Sequence, residues 1–409
     1  MLVVFVRRAG EESAEAVHPT ELAALRDASV SATKDGAFVA LARAPETPVL
    51  RERIARAFET PSVVRFRRAR PWLLLALFPV LALIDLERQL ISLGTTGVAA
   101  RFVADLVLFA FLVFEIARPI PRHPRTWALA SLAVAARYAY MIAAMCGRGI
   151  PLFFLGLALS IASAALAFVT MPTAHALARD VRAALRVEPL DARERTPAPV
   201  APAVLAALAL PAILIAARAL GAGALATAAL FVGVGAALPL AVRVRASPPP
   251  RAISIFERAD ASLFGFAAAI TLVRLVHYAT LACAESLRCA APRVYDSLAK
   301  PLVETQSIES HETSSRYAMA LAAFAVLVVP VVEERLYRAT LQRALATRTT
   351  ATRAIAASAM IFGIAHVGVY RASIHQAILL GVAFGAAYEE AGLAAAILAH
   401  ALYNAAQLF

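Results

Sequence analysis

The chain reads as a succession of long apolar runs separated by short polar breaks. Runs of about the length a helix needs to cross a bilayer, roughly 17–25 residues, fall at 71–86, 102–117, 127–146, 150–171, 199–217, 221–241, 262–284, 317–337, 354–370, 375–388 and 392–409. The pattern predicts an all-α, polytopic transmembrane helical bundle of about 10–11 spans. Runs 71–86 and 375–388 are short for a crossing, so each reads as a half-span or a tilted, partly protein-buried helix. Residues 1–70 break the pattern with a β-like start at Met1–Val6, a helical patch at Thr20–Arg26 and an apolar strand-like run at Gly36–Arg43. They read as a small cytoplasmic appendage. Arg7 and Arg8 end the Met1–Val6 run too early for the apolar core of a secretory signal, so no cleaved leader is expected. Proline clusters at Thr196–Pro202 and Ser247–Pro250 stop helices. They separate accessory helices within 71–258 from a final segment, 259–409, that holds nearly all of the plausible chemistry.

Composition agrees with the pattern. With 61% hydrophobic residues and a mean hydropathy of +0.70, the chain is too apolar for a soluble protein of this length. A net charge of +12 suggests nucleic acid at first, but the arginines sit in alternate loops. Arg65, Arg67, Arg68 and Arg70 precede the first span, Arg118, Arg122 and Arg125 follow the second, and Arg179, Arg182 and Arg186 follow the fourth. Arg243 and Arg245 follow the sixth, and Arg343, Arg348 and Arg353 the eighth. That alternation is the positive-inside signature. It puts the amino terminus in the cytoplasm and makes the lipid bilayer the expected partner, with no nucleic acid; the Ala- and Arg-rich composition suits a bacterial inner membrane. Cys283 and Cys289 fall on the predicted outer side, either as a disulfide or, in the blander reading, as small buried residues.

Against this apolar background, Glu333-Glu334-Arg335-Leu336-Tyr337-Arg338 puts two adjacent carboxylates at the end of a membrane helix. An ionisable group at membrane depth costs about 2.5–3.5 kcal/mol on insertion scales, so it marks a functional site with partners on neighbouring helices. Positions four apart share a helix face, which pairs Glu334 with Arg338 and sets Glu333 beside Tyr337. One carboxylate then faces a cavity while its neighbour is held by arginine. A carboxylate in an apolar cavity suits general-base chemistry on water. His366 lies on the next span, and His400 and Asn404, again four apart, look into one space from the last. Each of these is weak alone, since a single histidine in such a helix is more often a packing or hydrogen-bonding residue; three together on neighbouring helices are not. Asp105, Arg274 and His277 read as helix-packing or lipid-interface residues, and Glu389 and Glu390 as a cytoplasmic turn.

Glu-Glu-x-x-x-Arg at 333–338, Phe-x-x-x-His at 362–366 and His-x-x-x-Asn at 400–404, in that order, resemble the motifs of the CPBP family. These are the CAAX-protease and bacteriocin-processing intramembrane endopeptidases, also called Abi proteins. Gly381 and Gly385, before the last helix, are similar to that family's pattern of close backbone approach. The resemblance covers roughly 259–409 and implies an endopeptidase acting on a peptide or membrane protein near the cytoplasmic leaflet. It implies Glu333 as the base that activates water, assisted by His366, with His400 and Asn404 stabilising the oxyanion and Glu334 and Arg338 orienting. It leaves open whether a divalent metal such as zinc is held by Glu333, His366 and His400, because the His-Glu-x-x-His spacing that would make zinc compelling is absent. Rival readings are a catalytically silent scaffold or bacteriocin-immunity-type protein, and a proton-coupled transporter using the same charges. The arginine alternation yields a direct test. A cysteine introduced at Thr305 should react with a membrane-impermeant maleimide added outside, and one introduced at Leu345 should not; the reverse pattern inverts the topology.

Overall fold

The computed structural model describes residues 2–7, 38–43, 61–82, 96–118, 121, 123–144, 150–185, 199–242, 255–294, 318–366 and 374–408. The helical patch expected over Thr20–Arg26, the Ser247–Pro250 break and residues 295–316 of the outer connection lie outside these. Two strands, β1 (Leu2–Arg7) and β2 (Phe38–Arg43), pair antiparallel with Leu2 opposite Arg43, where the sequence suggests extended chain. The rest is a polytopic helical bundle. Its helices are α1 (Pro61–Leu75), α2 (Thr96–Ala117), α3 (Arg125–Ala144), α4 (Ile150–Leu185), α5 (Val200–Ala219), α6 (Ala224–Val242) and α7 (Ile255–Ala290). There follow α8, a helical run over 318–346, then α9 (Ala351–His366), α10 (Ile374–Ala391) and α11 (Leu393–Leu408).

Among the described residues, five helices are long and apolar enough to cross a membrane: Arg125–Ala144, Phe154–Leu177, Val200–Ala219, Ala224–Val242 and Arg258–Ala290. Other apolar runs end as shorter helices, such as the 16-residue α9 and α11. The first run is realised as a helix that begins earlier, at Pro61, and breaks in a turn at 76–77. Cys283 and Cys289 are exposed on α7 and not joined, which corrects the reading of them as buried. Six residues apart on one helix, they point away from each other.

One compact unit comprises 1–81, 109–131 and 163–189. In it Phe66 stacks on Trp127 with ring centroids 5.6 Å apart. Arg70 reaches the end of α2, donating from Nε to Ile116 O at 2.9 Å and from Nη2 to Arg118 O at 2.9 Å. A guanidinium there satisfies carbonyls that a helix C-terminus leaves orphaned and complements the helix dipole. Glu115 is fully buried. It accepts from Arg118 Nη1 at 2.6 Å and from the backbone N–H of His123 at 2.7 Å.

The second unit, 82–108, 132–162 and 190–409, holds the final helices. Asp105, 1% exposed, is ion-paired with Arg274, so these two charges do pack helices together. α7 lies against α10 and α11, and α10 against α9, at glycines that admit no side chain. A Cβ at Gly381 would sit 2.8 Å from both Cα and Cβ of Ala359, and one at Gly265 would sit 2.8 Å from the Ala387 Cβ. α10 turns into α11 at Gly392, whose φ of 79° is a left-handed value that suits glycine. That tight reversal lays α11 beside α10, with His400 two turns along it.

Candidate active site

The catalytic candidates begin with a proline. Pro330 sits in α8 and has no N–H to give, and just before it the helix widens to a π turn over Phe324–Val328. The Val329 N–H bonds back to Phe324 O and so is lost to Ala325 O, while the next position, Pro330, has no donor. Asn404 Nδ2 on α11 fills the gap at 2.8 Å. A second π segment, Arg335–Gln342, follows the two glutamates, with Thr340 Oγ1 donating to Arg335 O at 3.0 Å. Such wide turns recur at functional sites, and between these two lie Glu333 and Glu334.

Glu334 is fully buried and has a partner on each oxygen. Arg338 Nε donates to its Oε2 at 2.9 Å, and His400 Nδ1 lies 2.9 Å from its Oε1. The guanidinium, itself fully buried, also donates from Nη1 to Ser358 Oγ at 3.2 Å, and Ser358 in turn donates to Tyr337 O at 3.0 Å. Its carbon lies 5.1 Å from the centroid of the Phe362 ring, a cation–π distance. The His400 ring is stacked on Phe384, centroids 4.6 Å apart and planes 17° from parallel.

These bonds set the tautomers. A carboxylate paired with arginine accepts, so His400 carries a proton on Nδ1, and in its neutral form leaves Nε2 with a lone pair. His366 Nδ1 lies 2.7 Å from Phe362 O; a carbonyl only accepts, so this imidazole too is protonated at Nδ1. Both Nε2 atoms then face Glu333, whose Oε2 is 3.9 Å from His366 Nε2 and 4.0 Å from His400 Nε2. Direct hydrogen bonds are shorter than about 3.2 Å, so neither imidazole is bonded directly to Glu333. Glu333 and His366 open onto a cavity shared with Leu210, Pro211, Leu214, Phe231, Tyr337 and Ala365, with room for about one water molecule.

The structure therefore brings Glu333, Glu334, Arg338, His366 and His400 together. It links Asn404 to the same helix two turns earlier, through Ala325. Glu389 gains a place that the sequence did not suggest: Gln342 Nε2, fully buried, donates to Glu389 Oε1 at 2.8 Å and to Gly385 O at 3.1 Å. Ser358, Phe384 and Tyr337 support the site without having been singled out for it. Ser358 is one hydroxyl in an apolar helix, Phe384 one aromatic among many, and the Tyr337 hydroxyl acts on a helix more than a hundred residues away.

Residues 315–406 match the family model described as Type II CAAX prenyl endopeptidase Rce1-like. This segment is Rce1-like. The match agrees with the CPBP resemblance carried by the three motifs and supports an intramembrane protease. No curated protein and no solved structure matches the chain. The Rce1-like segment covers α8 to α11, whereas Leu210, Pro211, Leu214 and Phe231 lie outside it, on α5 and α6.

For the site as candidate ligands, the set is two imidazole Nε2 atoms and a carboxylate oxygen, each of a type that zinc accepts. Both imidazoles have the other ring nitrogen tied to an oxygen acceptor, the arrangement that orients histidine ligands in metal sites. The separations of 3.9 and 4.0 Å exceed the roughly 3.3–3.4 Å between ligand atoms that tetrahedral Zn–N bonds of about 2.0–2.1 Å imply, and the three ligand atoms do not all lie within 4.8 Å of one another, so a bound ion would have to draw them together.

The buried ion pair makes its own prediction. Arg338→Met should leave Glu334 charged and half-satisfied in the core and destabilise the protein by about 3–5 kcal/mol. Thermal unfolding in detergent checks this; an unchanged unfolding temperature would show that the pair is dispensable.

Proposed function

We propose that the Rce1-like segment is an intramembrane endopeptidase that hydrolyses a peptide bond in a peptide or membrane-protein substrate near the cytoplasmic leaflet. On this reading the protein sits in a bacterial inner membrane with its amino terminus in the cytoplasm. The observation that carries the proposal is the convergence of two imidazole Nε2 atoms on one Glu333 oxygen, 3.9 and 4.0 Å away, where Glu333 and His366 line space for about one water molecule.

A water there lies within hydrogen-bond reach of Glu333 and a histidine at once. Glu333 Oε2 takes a proton from that water as its oxygen adds to the scissile carbonyl carbon, and the carbonyl electrons move onto oxygen. Glu333 passes that proton to His366, whose Nε2 is free to accept it, and His366 hands it to the leaving amide nitrogen as the C–N bond breaks, while the proton of the new carboxylic acid goes to Glu333. Asn404 keeps its second N–H for the oxyanion. His400 becomes a donor to the same oxygen only when protonated at Nε2, and Glu334 then balances its charge.

Glu333 and His366 line the cavity, and His400 Nε2 reaches the same Glu333 oxygen. A water in the cavity can donate to Glu333 and to one imidazole, whereas a divalent cation would engage all three by drawing them together. Glu333, His366 and His400 therefore fit as ligands to a metal such as zinc. Such an ion supplies Lewis-acid polarisation of the carbonyl and a more acidic water.

Glu333→Gln keeps the shape and cannot take a proton, so cleavage of a peptide library by purified protein should disappear. A strong chelator should abolish wild-type cleavage, and zinc or another divalent ion should restore it. Indifference to chelator assigns the chemistry to Glu333 and the histidines alone. Full activity of the Glu333→Gln protein would overturn the proposal in both forms.

A further inference from the structure

We infer that Tyr337 is a positioning residue that latches accessory helix α5 onto the catalytic helix and so holds Glu333 against its water. The inference rests on the proposed role of Glu333. It starts from Pro211, inside α5. A proline in mid-helix has no N–H for the carbonyl four residues earlier, which here is Ala207 O. The Tyr337 hydroxyl, on α8, donates to that carbonyl at 3.1 Å in a buried setting. Tyr337 is 2% exposed, and its ring stands edge-on to Phe362 with centroids 5.0 Å apart, so the hydroxyl has little freedom to point elsewhere.

The latch bears on the chemistry because of what each end carries. Tyr337 is four residues from Glu333, and both line the cavity that Leu210, Pro211 and Leu214 close from the other side. Leu210, Leu214, Phe231, Val332, Leu336 and Tyr337 belong to one continuous apolar core. A carboxylate acting as base needs its water few in number and fixed in place, and excluding bulk water strengthens every polar contact inside. α5 is the wall that does this. It lies outside the Rce1-like segment, so this chain completes its site with a helix of its own accessory region. The bond is also separable from simple packing, because Pro211→Ala would give Ala207 O a donor within its own helix and remove its need for Tyr337.

The test is a double-mutant cycle in the full-length protein. Tyr337→Phe keeps the ring and should lower kcat about tenfold with KM unchanged, the size expected for one buried hydrogen bond that acts on the transition state. It should lower the unfolding temperature by about 2–4 °C and raise maleimide labelling of a Leu214→Cys reporter several-fold over the native cysteines. Adding Pro211→Ala should restore the unfolding temperature, while kcat stays low and the reporter stays open, since the tether is still missing. Recovery of kcat together with the temperature would make Tyr337 merely structural, and wild-type kcat and labelling in Tyr337→Phe would overturn the latch. A wild type that cleaves no peptide defeats the protease reading instead; labelling and unfolding temperature still decide whether α5 is latched.

Discussion

Glu334 has no exposed surface, and both of its oxygens are committed, one to Arg338 and one to His400. A buried carboxylate is tolerable only when paired and hydrogen-bonded, and each partner it uses here has a consequence. Arg338 ties it to Ser358 on α9 and to the Phe362 ring. His400, by donating its Nδ1–H to this bond, turns Nε2 toward the adjacent glutamate. The two carboxylates, neighbours in sequence, thus differ: Glu334 is tied by Arg338 and His400, and Glu333 faces the cavity.

Two prolines extend the same logic into the backbone. Pro330 and Pro211 each cost a helix one hydrogen bond, and an unpaired carbonyl in an apolar interior costs too much to leave alone. The side chains that answer are Asn404 for the first and Tyr337 for the second. Both bonds run between helices distant in sequence. Without them the π turns before and after Glu333 would have less to hold them in register with α11 and α5. The glycine contacts between α9, α10 and α7 supply the close approach, and these polar bonds supply the register.

Much of this was legible in the sequence. Carboxylates and histidines at membrane depth stand out because every neighbour is apolar, and the fourfold spacings of Glu334 with Arg338 and of His400 with Asn404 belong to one helix each. The polytopic helical bundle was legible for the same reason, and the two extended runs near the amino terminus were legible as strands, though not their pairing. What the sequence hid is non-local or irregular. The π turns depend on which donor a carbonyl loses, the Ser358 and Tyr337 bonds on which helices meet, and Asn404's bond on a carbonyl orphaned by a proline 74 residues before it. Cys283 and Cys289 were misjudged as buried because small apolar residues are equally at home on a face turned outward.

The account stands on the claim that both site histidines are protonated at Nδ1 and present a lone pair at Nε2 to Glu333. Nitrogen-15 NMR of the histidine-labelled protein, with His366→Gln and His400→Gln used to assign the signals, reads that directly. The expected result is two imidazoles near neutral pH with Nδ1 as the protonated nitrogen and Nε2 as the bare one. A signal from either ring showing the proton on Nε2 would contradict the account, because that nitrogen would then donate to Glu333 and could serve neither as proton acceptor nor as ligand.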